Sequence, residues 1–89
     1  MRVKLNDKEW VRVGGDMPAY VTIQNTGQND VAYCFRPTKP IKPASGMNED
    51  DYYRLPPATD KISFSRVEDT GLSIYAMSLA GVGDLTVNE

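Results

Sequence analysis

Short runs of alternating apolar and polar residues, cut by segments rich in Gly, Asn, Asp and Pro, predict an all-β protein. The expected form is a small antiparallel β-sandwich or barrel of about six or seven short strands. One long Pro-rich loop, residues 37–60, interrupts the pattern, and no run carries the period of an amphipathic helix of useful length. With 89 residues the chain forms a single domain, residues 1–89. A chain of this size should bury roughly 60–70% of the surface its unfolded form exposes.

Each element has its own justification. Val3 and Leu5 alternate with Arg2 and Lys4, the pattern of a short, charged edge strand. Asn6-Asp7-Lys8 reads as a turn and Trp10-Val11-Arg12-Val13 as a second strand. Gly14-Gly15-Asp16 then breaks the chain, and Pro18 lacks the N–H that a ladder needs. Tyr20 to Gln24 is a strand with Val21 and Ile23 inward. Asn25 to Asp30 holds turn-favouring residue types, so a hairpin is expected to return through Val31 to Arg36. In that return strand Val31, Tyr33 and Phe35 share one face, and Ala32 and Cys34 share the other.

From Pro37 to Asp60 the alternation dissolves. Ser45 to Asn48 reads as a turn, and Glu49 to Leu55 as one helical turn or a short strand. Loops of this length are usually functional or disordered, and this one reads as a proline-stiffened arm whose removal, from Ile41 to Tyr53, leaves a folded domain. Lys61 to Ser65 resumes the alternation with Ile62 and Phe64 inward, and Val67 to Gly71 is a turn. Leu72 to Leu79 and Leu85 to Glu89 then predict a closing antiparallel hairpin across Gly81-Val82-Gly83. Leu72, Ile74 and Ala76 share a face in that hairpin, and Leu85 and Val87 match it.

Composition excludes several classes of function. The net charge is -2 and the ten Lys and Arg residues are scattered, which opposes a phosphate-tracking surface and so a nucleic-acid partner. No apolar run approaches the ~18 residues of a membrane span. Met1 to Leu5 lacks the apolar region of a secretory signal, and a single cysteine permits no internal disulfide. Both features predict folding in a reducing cytoplasm. Histidine is absent, which removes the commonest general base and metal ligand.

The remaining chemistry is sparse. Cys34 as a nucleophile would need Lys or Asp as its base, and a small buried strand residue explains it better. Glu49-Asp50-Asp51 is the one acidic cluster, but its spacing is not that of an EF-hand, and solvated loop charges account for it. Trp10 and Arg12 share a face, whereas Tyr33 falls with the core, so a stacking platform is disfavoured. No catalytic, metal or cofactor site is expected. Tyr52-Tyr53-Arg54, by contrast, has the composition of a contact surface, because tyrosines bring large area at small loss of rotamers. In the alternative, one tyrosine anchors the loop and the other lies exposed. The expected interaction surface comprises Pro40, Ile41, Pro43, Met47, Tyr52, Tyr53 and Arg54.

Val21 to Gly27 leading into Val31-Ala32-Tyr33, Leu55-Pro56-Pro57, Leu72 to Ala76 and the final Leu85 to Glu89 together resemble a group of small β-sandwich virion proteins of tailed bacteriophages. In that group an I-x-N strand opens a hairpin, matched here by Ile23-Gln24-Asn25. An L-x-P/G bend and a V-x-E strand follow, matched by Leu55-Pro56-Pro57 and Val87-Asn88-Glu89. The resemblance covers about residues 20 to 89, but Pro37 to Pro57 stands where the group has a short Gly-rich connection. It implies a non-enzymatic virion protein, foremost a capsid decoration (cement) protein, with head-fibre and tail-associated subunits as relatives in role. Its implied partners are the major capsid protein, other virion proteins and its own copies in a homo-oligomer, and its implied location is the virion. The residues alone leave open a glycan- or protein-binding module that uses Trp10, Tyr52 and Tyr53.

Overall fold

A computed structural model describes residues 2–14, 20–57, 62–65 and 73–88. Among the described residues, eight strands form two four-stranded antiparallel sheets, the layers of a β-sandwich. They are β1 (Arg2–Leu5), β2 (Val11–Gly14), β3 (Tyr20–Asn25), β4 (Val31–Arg36), β5 (Tyr53–Leu55), β6 (Ile62–Ser65), β7 (Ser73–Ser78) and β8 (Gly83–Asn88). The first sheet runs β1-β8-β3-β6 and the second β2-β7-β4-β5. The helical turn or short strand read at Glu49 to Leu55 proves to be both, a 3-10 turn at Glu49–Asp51 followed by β5 inside the Pro-rich segment. The turn expected at 67–71, together with Pro18, Leu72 and Glu89, lies outside the described residues, as do the side chains of Val21, Ile62 and Phe64.

Inward-facing residues follow the predicted alternation. Leu5, Val13, Ile23, Val31, Tyr33, Leu55, Ile74, Ala76, Leu85 and Val87 form one cluster between the sheets, with Val3, Val11 and Phe35 against it. At roughly 25 cal/mol per Å² of apolar surface removed from water, this cluster is the main source of folding free energy.

Both expected hairpins are overturned. β3 pairs with β6 and β8 in the first sheet, whereas β4 pairs with β5 and β7 in the second. β7 and β8 likewise lie in opposite sheets. Residues 26–30 and 79–82 are therefore arches that carry the chain across the sandwich. Alternation is equally satisfied by a hairpin and an arch, because either one buries the same face. The deciding interactions are polar ones at the arches.

Asn25, the last residue of β3, is 2% exposed. Its Nδ2 donates to the carbonyls of Asn29 and Leu55, each at 2.8 Å, while its Oδ1 accepts from the Gly27 N–H at 3.0 Å. The Leu55 carbonyl belongs to β5, so the amide ties an end of the first sheet to the second. Gly27 has no room for a side chain, since a Cβ there would sit 2.9 Å from the Asp84 backbone nitrogen. At the other arch, β7 ends with the Ser78 N–H on the Asn6 carbonyl and the Leu79 N–H on the Asp30 carbonyl. Gly81 then takes φ 64°, a left-handed conformation that glycine adopts without penalty. The turn read at Asn6 is also present, with Asn6 Oδ1 accepting from the Lys8 and Glu9 amides.

Asn25→Ala should destabilise the protein by about 2–4 kcal/mol, because buried carbonyls left without a donor cost ~1–3 kcal/mol each. Asn25→Asp should be worse at neutral pH, since a carboxylate donates nothing and faces two carbonyl oxygens. Urea unfolding of the two variants and the wild type measures both effects.

Candidate functional site

The Pro-rich segment is a lid on the outer face of the second sheet. β4 and β7 turn Ala32, Cys34, Tyr75 and Met77 outward, and Trp10 stands beside them. The small residues of β4 leave a trough between the larger ones, and the lid's Ala44 fills it at 2% exposure. Met47, Tyr52 and Leu79 pack at the margin of this second cluster. Trp10 is 1% exposed, so it is a core residue and offers no contact surface.

Two hydrogen bonds fasten the lid. Trp10 Nε1 donates to the Lys42 carbonyl at 2.8 Å, and the Ala44 N–H donates to the Met77 sulfur at 3.2 Å. A neutral hydrogen bond contributes roughly 0.5–1.5 kcal/mol net, and sulfur is the weaker acceptor. An exposed ion pair, Lys39 to Glu9 at 3.4 Å, adds little. Single-turn 3-10 helices at Ala44–Gly46 and Glu49–Asp51 shape the segment. The turn read at Ser45 to Asn48 overlaps the first of them. The segment packs on the sheet, so removing Ile41 to Tyr53 should uncover Trp10 and Met77 and destabilise the domain, where a dispensable arm would leave its stability unchanged.

The expected contact residues divide between anchors and exposed groups. Met47 and Tyr52 are half-buried, and Tyr52 meets Trp10 edge-on with ring centroids 6.4 Å apart. Pro40 and Pro43 are half-buried beside Ile41, which is 101% exposed. Tyr53 stacks on Tyr33 at 5.3 Å and still leaves 59% of its surface to solvent. Arg54 is exposed and reaches Asp30 at 3.7 Å. One tyrosine anchors and the other projects. Glu49, Tyr52, Tyr53 and Arg54 line a cleft of about 330 Å³ at the β5 edge. Arg36, Pro40, Ile41, Lys42, Met47 and Asp51 line a second hollow of about 310 Å³.

The acidic cluster has a structural use, since Asp51 Oδ2 accepts from the Asn48 N–H at 3.2 Å. Among the described residues, no three acidic or cysteine side chains gather as metal ligands would. Cys34 is buried at 2% exposure beneath the lid. Burial pushes its thiol up from the ordinary range, and a hydrogen bond and the charge of Arg36 offset this only in part. A thiol held protonated is a poor nucleophile. Burial, and then the neighbouring Tyr53, push the Tyr33 phenol up as well.

Sequence reasoning missed the lid's anchorage, although a signal was present. Val31 to Phe35 is apolar at every position, and so is Ile74 to Met77, which is the signature of strands buried on both faces. No family model, curated protein or solved structure matches this chain.

Both raised groups are neutral when protonated, so the fold favours the protonated forms. Their stabilising contribution is complete below the unfolded-state values, about 8.5 for Cys and 10 for Tyr, and is lost as pH rises beyond them. Thermal melts should therefore fall on the alkaline side, and Cys34→Ala should delay the onset of that fall relative to wild type.

Proposed function

We propose that this chain is a non-enzymatic structural protein of a bacteriophage virion, a capsid decoration protein that attaches to the head surface through the lid and the β5 edge. The observation that carries the reading is the display of Ile41 and Tyr53 to solvent on a backbone fastened to the sandwich. Presenting apolar and aromatic groups on preordered backbone lowers the entropy lost on docking, the more so with Pro40 and Pro43 flanking Ile41. The resemblance to small virion sandwiches supports the setting. In it the chain is made in the host cytoplasm and resides on the particle, with the major capsid protein or another virion protein as partner. Head-fibre or tail attachment is the same chemistry at another location, and immunogold labelling of particles distinguishes them. The sealed, protonated thiol of Cys34 favours a structural role over a nucleophilic one.

The test is co-sedimentation with purified heads of the parental phage. Ile41→Asp should lower attachment at least ~10-fold at an unchanged melting temperature, and adding Tyr53→Ala should lower it further at a modest cost in stability, because Tyr53 also stacks on Tyr33. Undiminished attachment contradicts the proposal.

The β5-edge cleft favours a second reading, a glycan- or protein-binding module. Two tyrosine rings with a carboxylate and a guanidinium beside them suit a polar ligand with an apolar face. With Trp10 buried, that module relies on Tyr52 and Tyr53 alone. Glycan-array binding abolished by Tyr53→Ala would select it over the virion reading.

A further inference from the structure

Sulfur is concentrated beneath the lid. The chain has four methionines and one cysteine. Cys34, Met47 and Met77 meet in the second cluster, and Met1 and Met17 lie outside the described residues. Met77 does more than fill space there. It is 1% exposed, and its sulfur accepts the Ala44 N–H at 3.2 Å, so one of the bonds that hold the lid to the sheet ends on an oxidisable atom.

We propose that Met77 is an oxidation site and that its conversion to the sulfoxide unlatches the lid. The oxidant is a peroxide. The thioether sulfur attacks one peroxide oxygen, and an S–O bond forms as the O–O bond breaks. The other oxygen leaves with the transferred oxygen's proton, as water or an alcohol. Sulfur gives up two electrons and the peroxide takes them, so no further reactant is required. The inference stands on the lid's fastening alone and goes beyond the attachment reading.

The position of the sulfur sets the consequence. In one sulfoxide epimer the new oxygen lies between the sulfur and an amide nitrogen already in contact with it, so the lid backbone must retreat. In the other the oxygen enters the apolar layer beside Ala32 and Cys34, where a polar atom is costly to bury. Either product disfavours the closed lid.

The lid can open while the sandwich stays closed. Within its short helical turns the Gly46 N–H donates to the Pro43 carbonyl, Met47 to Ala44 and Asp51 to Asn48, and these local bonds travel with it. Cys34 and Met77, by contrast, belong to β4 and β7, which pair over six positions and are packed from the inner side as well. A segment with few long-range bonds opens at lower cost than paired strands, and each opening admits oxidant to the sulfur. Reduction of the sulfoxide, by one reductase for each epimer, resets the latch.

Trp10, the one tryptophan of the chain, lies under the lid and reports its position. The test treats full-length Cys34→Ala protein, which has no thiol to consume oxidant, with hydrogen peroxide at neutral pH. Peptide mass spectrometry should find Met77 carrying one added oxygen. Trp10 emission should shift to the red as water reaches the ring, with the circular dichroism of the sheets kept. Methionine sulfoxide reductases should reverse that shift. Met77→Leu, which keeps the volume but offers no sulfur, should show no shift under peroxide, whereas Met47→Leu should shift as its parent does. Ala44→Gly, which removes a methyl from the trough and frees the backbone, should speed Met77 oxidation about 10-fold. Met77 left unmodified while Met47 is oxidised, a Met77 sulfoxide with Trp10 still shielded, or a shift that persists in Met77→Leu would each overturn the inference. Collapse of the sheet signal on oxidation would overturn it too, since the sulfoxide would then unfold the sandwich rather than free the lid.

Discussion

The Asn25 amide sits where β3 leaves the first sheet, where the chain turns toward β4, and where β5 ends. Its two donated hydrogen bonds and one accepted bond fix all three, and the amide itself is buried. A hydrophobic interior holds the two sheets face to face but leaves their relative slide and rotation loosely determined. Directional bonds from a buried group supply that determination, because each mispairing strands a polar atom in an apolar setting. The position of β5 depends on this amide as well as on its ladder with β4, and the lid depends on where β5 lies.

The consequence runs outward in layers. The inner faces pack on one another, and the outer face of the second sheet carries a further apolar set beneath residues 37–52. The lid is fastened by groups of differing strength: an indole N–H on a carbonyl, an amide N–H on sulfur, and an exposed ion pair. Its outer side then holds Ile41 in fixed relation to the β5 cleft. A surface presented this way differs from a flexible tail, since its geometry exists before any partner arrives.

What the sequence disclosed, and what it hid, divides along physical lines. Alternation correctly predicted inward residues at Ile23, Val31, Tyr33, Ile74, Ala76, Leu85 and Val87, because a period of two reports which face loses water. It could not report pairing. Ile74 and Leu85 belong to the same core whether their strands lie side by side or opposite each other. The decisive clue at Asn25-Thr26-Gly27 looked like a hairpin turn, since asparagine favours both a turn and a local bond to the amide two residues on. Only the long-range bond to Leu55 separates these outcomes, and no local pattern encodes it. In the candidate site, that one of Tyr52 and Tyr53 anchors the loop while the other lies exposed was legible. Which tyrosine anchors was not, as that depends on Trp10 lying beneath the lid.

The strand order also determines how the molecule comes into being. Among the described strands, only β4 and β5 are neighbours both along the chain and within a sheet, and a long segment separates even them. β8, the last of the eight to leave a ribosome, lies between β1 and β3 and gives β1 its only ladder in the described sheet. A nascent chain lacking β8 therefore has β1 unpaired and the first sheet split in two. Such a polypeptide must wait for synthesis to reach β8 before the first sheet can be completed, and during that interval its unpaired edges are exposed to whatever else is nearby.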